Sequence, residues 1–104
     1  MIIHYSSSKQ EKILTDMRLL KKYYAQDFTR LSNRLSELRA VNNLSEISEN
    51  PPPRRHKLDE PYKGCWGIAY SKNDRIIIKP MGEFDINALT SITEILIVDL
   101  EDYH

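Results

Sequence analysis

Two of the chain's histidines sit among groups with which an imidazole can do chemistry. His56 stands inside the basic run Arg54-Arg55-His56-Lys57, and His104 closes the run Asp102-Tyr103-His104. An imidazole takes up and releases a proton near neutral pH, the requirement for general acid–base catalysis. Arginine and lysine side chains can hold a phosphate and offset the charge that grows on a pentavalent phosphorane. RNA carries its own nucleophile in the 2′-hydroxyl. Its cleavage therefore needs a base, an acid and cationic clamps, with neither a metal nor a protein nucleophile. A sheet order that brings the last strand beside the middle of the chain would let these groups converge. The same residues also fit a plainer arrangement, with His56 and His104 in solvent and Tyr103 packed on a sheet edge.

Other chemistries find less support. One cysteine and three well-separated histidines cannot supply the closely spaced ligand pairs of a zinc site. A histidine–carboxylate metal site assembled only in three dimensions stays open. There is no glycine-rich phosphate loop. Cys65 lies beside Trp66 at the start of an expected strand, a setting for a buried structural thiol rather than a reactive one. A lone cysteine forms no internal disulfide, in keeping with a reducing compartment. Neither a metal nor a cofactor is expected.

The elements that must position these residues come from a chain of 104 residues, enough for one domain over residues 1–104. Fifteen basic side chains balance fifteen acidic ones, which excludes an overall polycation. The balance hides a segregation. Residues 51–80 carry seven Lys or Arg against three Asp or Glu, whereas residues 81–104 carry six acidic side chains and no Lys or Arg. A basic middle is a footprint for a polyanion, or else an ordinary solvated surface. The longest apolar runs, such as Ile95-Leu96-Ile97-Val98, are far short of a membrane span. Met1 to Tyr5 lacks the basic flank and long apolar core of a signal peptide. The expectation is a small soluble, cytoplasmic domain with no membrane partner.

Met1–Tyr5 reads as a brief strand. Ser8 followed by Glu11 fits a capping box opening a helix, and Thr15-Asp16 can end that helix and cap a second. Phe28, Leu31, Leu35 and Leu38 fall on one helical stripe, predicting a helix from about Ala25 to Val41. That stripe can seat a partner helix, but packing on the domain's own sheet is the expectation. The helix should stop near Asn42-Asn43, since Asn tolerates a left-handed helix end. Leu44–Ile47 fits a single turn, and Pro51-Pro52-Pro53 excludes regular structure. Trp66, Ile68 and Tyr70 alternate with small residues as a strand does. Ser71–Asp74 is a turn, Arg75–Lys79 a second strand broken by Pro80, and Ser91–Leu100 a last one. The order predicts an α+β domain, with an N-terminal strand and helices packed on one face of a mostly antiparallel sheet.

The stretches Arg55-His56-Lys57-Leu58, Lys63-Gly64-Cys65-Trp66-Gly67-Ile68, Asp74-Arg75-Ile76-Ile77-Ile78 and Asp102-Tyr103-His104 resemble the HigB-type plasmid-maintenance killer proteins of the RelE/ParE toxin superfamily. Residues 14–23 and the leucine-striped helix are similar to one branch of that family, so the resemblance spans nearly the whole chain. It implies a microbial RNase-like (RelE-like) fold and a toxin that cleaves messenger RNA in the ribosomal A site. It also implies a cognate antitoxin, often a helix-turn-helix repressor, through which alone operator DNA would be met. Carried over by position, His56 and His104 would be the proton-transfer pair. Asp102 would orient an imidazole, and Tyr103 would stack on a base or assist proton transfer. Arg75 would stabilise the scissile phosphate, and Arg54, Arg55, Lys57 and Lys63 would bind the RNA backbone.

The sequence departs from the family pattern at Asp74 and Ile78, where aromatic residues are usual, and in a longer loop over residues 80–90. Its net charge is zero, whereas ribosome-dependent members are usually basic. Two alternatives follow. One is a non-catalytic toxin-fold module that pairs with an antitoxin repressor. The other is a ParE-like gyrase inhibitor, a branch that generally lacks the terminal Asp-Tyr-His.

Overall fold

The apolar, β-branched start of the chain forms strand β1 (Ile2–Tyr5), and three serines then turn it into helix α1 (Ser8–Thr15). The computed structural model describes residues 1–102. The cap of α1 differs from the expected Ser8–Glu11 box. Ser6 is drawn back to the sheet, its hydroxyl donating to the carbonyls of Ile97 and Val98. Ser7 is left extended as the cap, accepting from the Gln10 N–H, while the Gln10 side chain accepts from the Ser6 N–H.

Asp16 both ends α1 and caps α2 (Met17–Tyr23), accepting from the Arg18 N–H. That hydrogen bond to backbone holds its carboxyl below the usual carboxylate range. The striped helix is α3 (Phe28–Ala40), shorter at its start than the periodicity predicts. It ends on Val41 in extended backbone, and the amino group of Met1 donates to the carbonyls of Leu38, Arg39 and Val41. Asn43 is not a left-handed helix end. It is extended and caps the following 3-10 turn, Leu44–Glu46, in a reciprocal box with Glu46.

The second half supplies β2 (His56–Lys57), β3 (Trp66–Ala69), β4 (Asp74–Pro80) and β5 (Glu94–Asp102), with a 3-10 turn at Leu89–Ser91. Pro80 is the last residue of β4 rather than a break before it, opposite Ile95. At a strand end its missing N–H costs the ladder little. The β3–β4 turn is closed by Asp74, whose carboxylate accepts from the Ser71 hydroxyl at 2.6 Å while its N–H donates to the same hydroxyl.

The sheet runs β1-β5-β4-β3-β2, parallel between β1 and β5 and antiparallel elsewhere. This is the expected α+β arrangement. One face carries Trp66, Ile68, Ile76, Ile78, Ile95 and Ile97. It is sealed by Leu14, Leu20, Leu31, Leu35 and Leu38 from the three helices. The stripe on α3 is therefore core: Leu31 and Leu38 have no exposed surface. The opposite face is only partly covered, by a small cluster of Leu58, Cys65 and Ile77 with Tyr62 and Val98. Among the described residues no helix is long and apolar enough to cross a membrane.

Candidate active site

Strand pairing brings two of the candidate residues, His56 and Arg75, onto the less covered face. His56 lies opposite Gly67, Gly67 opposite Ile77, and Ile77 opposite Asp99. One pair along, Ala69 lies opposite Arg75 and Arg75 opposite Glu101. Residues directly opposite share a face. Gly67 is the point of convergence. A methyl group there would lie 3.1 Å from His56 Cε1, 3.1 Å from Leu58 Cδ2 and 3.2 Å from Arg75 Cδ. The absence of a side chain at Gly67 lets the imidazole and the guanidinium stem meet over one backbone position.

His56 is half-buried, and its Nδ1 is 2.7 Å from the Arg54 carbonyl oxygen. A carbonyl only accepts, so Nδ1 carries the hydrogen. In the neutral ring Nε2 is then the nitrogen that can take up a proton. His56 and Arg75 line a cleft of about 400 Å³ together with Lys57, Tyr62, Asp59, Glu60 and Glu101.

Two members of this cleft escape sequence reasoning. Glu101 accepts from the Arg75 guanidinium at 2.7 Å, in a pair whose side chains are 16% and 27% exposed. The Tyr62 phenol also hydrogen-bonds Glu101, which pushes its titration above that of a free tyrosine, helped by partial burial and by the charge of Asp99. The adjacency of Glu101 to the terminal Asp-Tyr-His run is the only local signal for it. Its partnership with Arg75 depends on strand register.

The cationic candidates separate. Lys57 and Lys63 both line a neighbouring cleft of about 340 Å³, where Lys57 Nζ lies 5.8 Å from the ring centre of Trp66. Arg55 does not join them. Its side chain is 9% exposed, Nε donates to the Ile47 carbonyl at 2.7 Å, and Nη2 reaches Glu49 at 3.3 Å. These bonds tie the segment before β2 to the turn after α3 and occupy Arg55 in the fold. Arg54 is exposed and turns away into a different cleft. Cys65 is buried against Leu58 and Ile77, and burial pushes its thiol up, so it stays protonated at neutral pH. Asp102 is the last residue of β5, opposite Asp74. Tyr103 and His104 lie outside the described residues.

The chain matches no protein-family model and no curated protein.

Proposed function

We propose that this chain is the toxin of a type II toxin–antitoxin pair, an endoribonuclease of the HigB kind in the RelE/ParE superfamily. It acts on messenger RNA at the ribosome. The observation that carries the reading is the meeting of His56 and Arg75 over Gly67 on the less covered face of the sheet. One imidazole removes the proton from a 2′-hydroxyl, whose oxygen attacks the adjacent phosphorus. Arg75 offsets the charge on the phosphorane. A second group, assigned to His104 from the sequence, protonates the leaving 5′-oxygen. The products are a 2′,3′-cyclic phosphate and a 5′-hydroxyl, with no metal in the reaction. Asp102 and Tyr103 complete the terminal motif, and an antitoxin, a helix-turn-helix repressor, silences the protein and is its only route to operator DNA.

A second reading, the non-catalytic module that pairs with a repressor, is favoured by one observation. Glu101 already engages Arg75, and the cleft that holds His56 is lined by Asp59, Glu60 and Glu101 against Lys57 and Arg75. Induced expression with transcript 5′ ends mapped separates the two. The nuclease reading expects growth arrest with new cuts inside reading frames. His56→Gln and His104→Ala should each reduce cutting by about 10²–10⁴-fold, the usual contribution of a general acid or base. Arrest without cuts, unchanged by either substitution, moves gyrase inhibition forward. A folded wild-type chain that causes no arrest supports the binding module.

A further inference from the structure

A second cleft is larger than the one that holds His56. It encloses about 460 Å³ between α3, the Pro51-Pro52 segment and the β3–β4 turn. Its lining includes Arg30, Arg34, Arg54 and Lys72, with no carboxylate. The His56 cleft has the opposite character, its cations matched by three acidic side chains. Two of the seven cations of residues 51–80 are gathered here with two from α3. Lys72 and Arg54 come from that basic stretch, while α3 adds Arg30 and Arg34.

The cations are positioned in different ways. Arg34 is 13% exposed and fixed in the cleft, Nε donating to the Ala69 carbonyl at 3.0 Å and Nη1 paired with Glu37. Arg30 is 67% exposed and reaches Asp27 at 3.3 Å. Arg54 is held at φ 47°, with its N–H donating to the Asn50 carbonyl. Among the described residues neither Arg54 nor Lys72 has a salt bridge. Tyr70, 6% exposed, belongs to the core behind the cleft. Cations spread along an open cleft suit successive backbone phosphates better than one small anion. The cleft shares no lining residue with the His56 cleft, and the two are linked along the chain through Arg54, whose carbonyl receives His56 Nδ1.

We infer that this cleft is an exosite for the phosphodiester backbone of single-stranded RNA, separate from the His56 cleft. The inference rests on the RNA reading of the His56 site, but binding here is measurable without cleavage. The probe is a labelled 2′-O-methyl oligonucleotide, which has no free 2′-hydroxyl to act as nucleophile. Its affinity for the full chain is followed by fluorescence anisotropy across a salt series.

In the double variant Arg30→Ala/Lys72→Ala the slope of log affinity on log salt should fall by about 0.7 per lost contact. With equal binding at 1 M salt, that slope corresponds to a loss of about fivefold per contact at 0.1 M. Both residues are exposed, and circular dichroism checks that the variant is folded. Lys21→Ala, which removes an exposed cation of α2 that lines neither cleft, should bind the probe as the wild type does. Unchanged affinity and slope in the double variant, or no binding by the wild type, overturns the exosite. Release of the probe by inorganic phosphate at matched ionic strength also overturns it, assigning the cleft to a lone phosphate. Failure of cleavage with cleft-dependent binding intact would instead sink the nuclease reading alone.

Discussion

Glu101 is the residue on which the candidate site turns. It accepts from Arg75 and from the Tyr62 phenol, so a cation expected to meet a phosphate already meets a carboxylate. A substrate phosphate would have to displace Glu101 or share Arg75 with it. The same contacts predict an alkaline titration. The Tyr62 phenol is the proton donor to Glu101, and ionising it would set a phenolate against that carboxylate. Its folded-state pKa is raised, so the folded chain holds this proton more tightly than the unfolded one. The stabilisation is therefore complete below the ordinary tyrosine range and is lost as pH rises through the raised value. Ultraviolet titration of the wild type minus Tyr62→Phe isolates this phenol among six tyrosines. Glu101→Gln should shift it downward, and an unmoved difference titration would show that the contact is not the cause.

At the scale of elements, the central requirement is the close passage of β2 and β4 across β3 at Gly67. An alanine methyl there would sit 3.1–3.2 Å from three neighbouring side-chain carbons, inside ordinary van der Waals distance. Overpacking of this kind costs about 1–3 kcal/mol. The neighbours that must give way are His56, Leu58 and Arg75, so Gly67→Ala is expected to lower the urea midpoint and to impair any activity that needs His56 and Arg75 together. An unchanged midpoint would mean that β2 can shift freely. The same scale explains where local patterns misplace boundaries. Ser6, Ser7 and Ser8 are equivalent as candidate caps until Ser6 is bound to the carbonyls of Ile97 and Val98, some ninety residues away. Asn43 and Glu46 form a capping box for the next turn, just past the helix end that the Asn pair marks in the sequence.

The whole molecule has one principal core, in which leucines of three helices meet the isoleucines and Trp66 of the sheet. A core shared by every helix and four of the strands should unfold as a unit. Trp66 fluorescence and far-ultraviolet circular dichroism are expected to give coincident urea transitions. Leu35→Ala, at a residue only 1% exposed, should destabilise the chain by about 2–5 kcal/mol without splitting that transition. Two separated transitions would show that the helices and the sheet are independent units. At this scale the zero net charge also acquires a meaning, because the cations that line the cleft beside α3 and the acids Glu94, Asp99 and Glu101 of β5 occupy different parts of the molecule.

Sequence alone determined what depends on near neighbours. The helical stripe of α3, the alternation of β3, the turn at Ser71–Asp74 and the second helix opening at Asp16 are all written within a few residues, because side-chain periodicity and capping are local. The α+β order followed from the succession of those elements. Of the residues picked for chemistry, His56 and Arg75 share one face, a juxtaposition that needed three strands in register. Only the tertiary structure decided that Arg55 is spent on the Ile47 carbonyl and Glu49, that Glu101 faces Arg75, and that Arg30 and Arg34 join Arg54 and Lys72 around one cleft. A charge carries no address in the sequence. Its role is set by which strand or helix is packed beside it, and here that packing is fixed by burial of leucine and isoleucine rather than by the charges themselves.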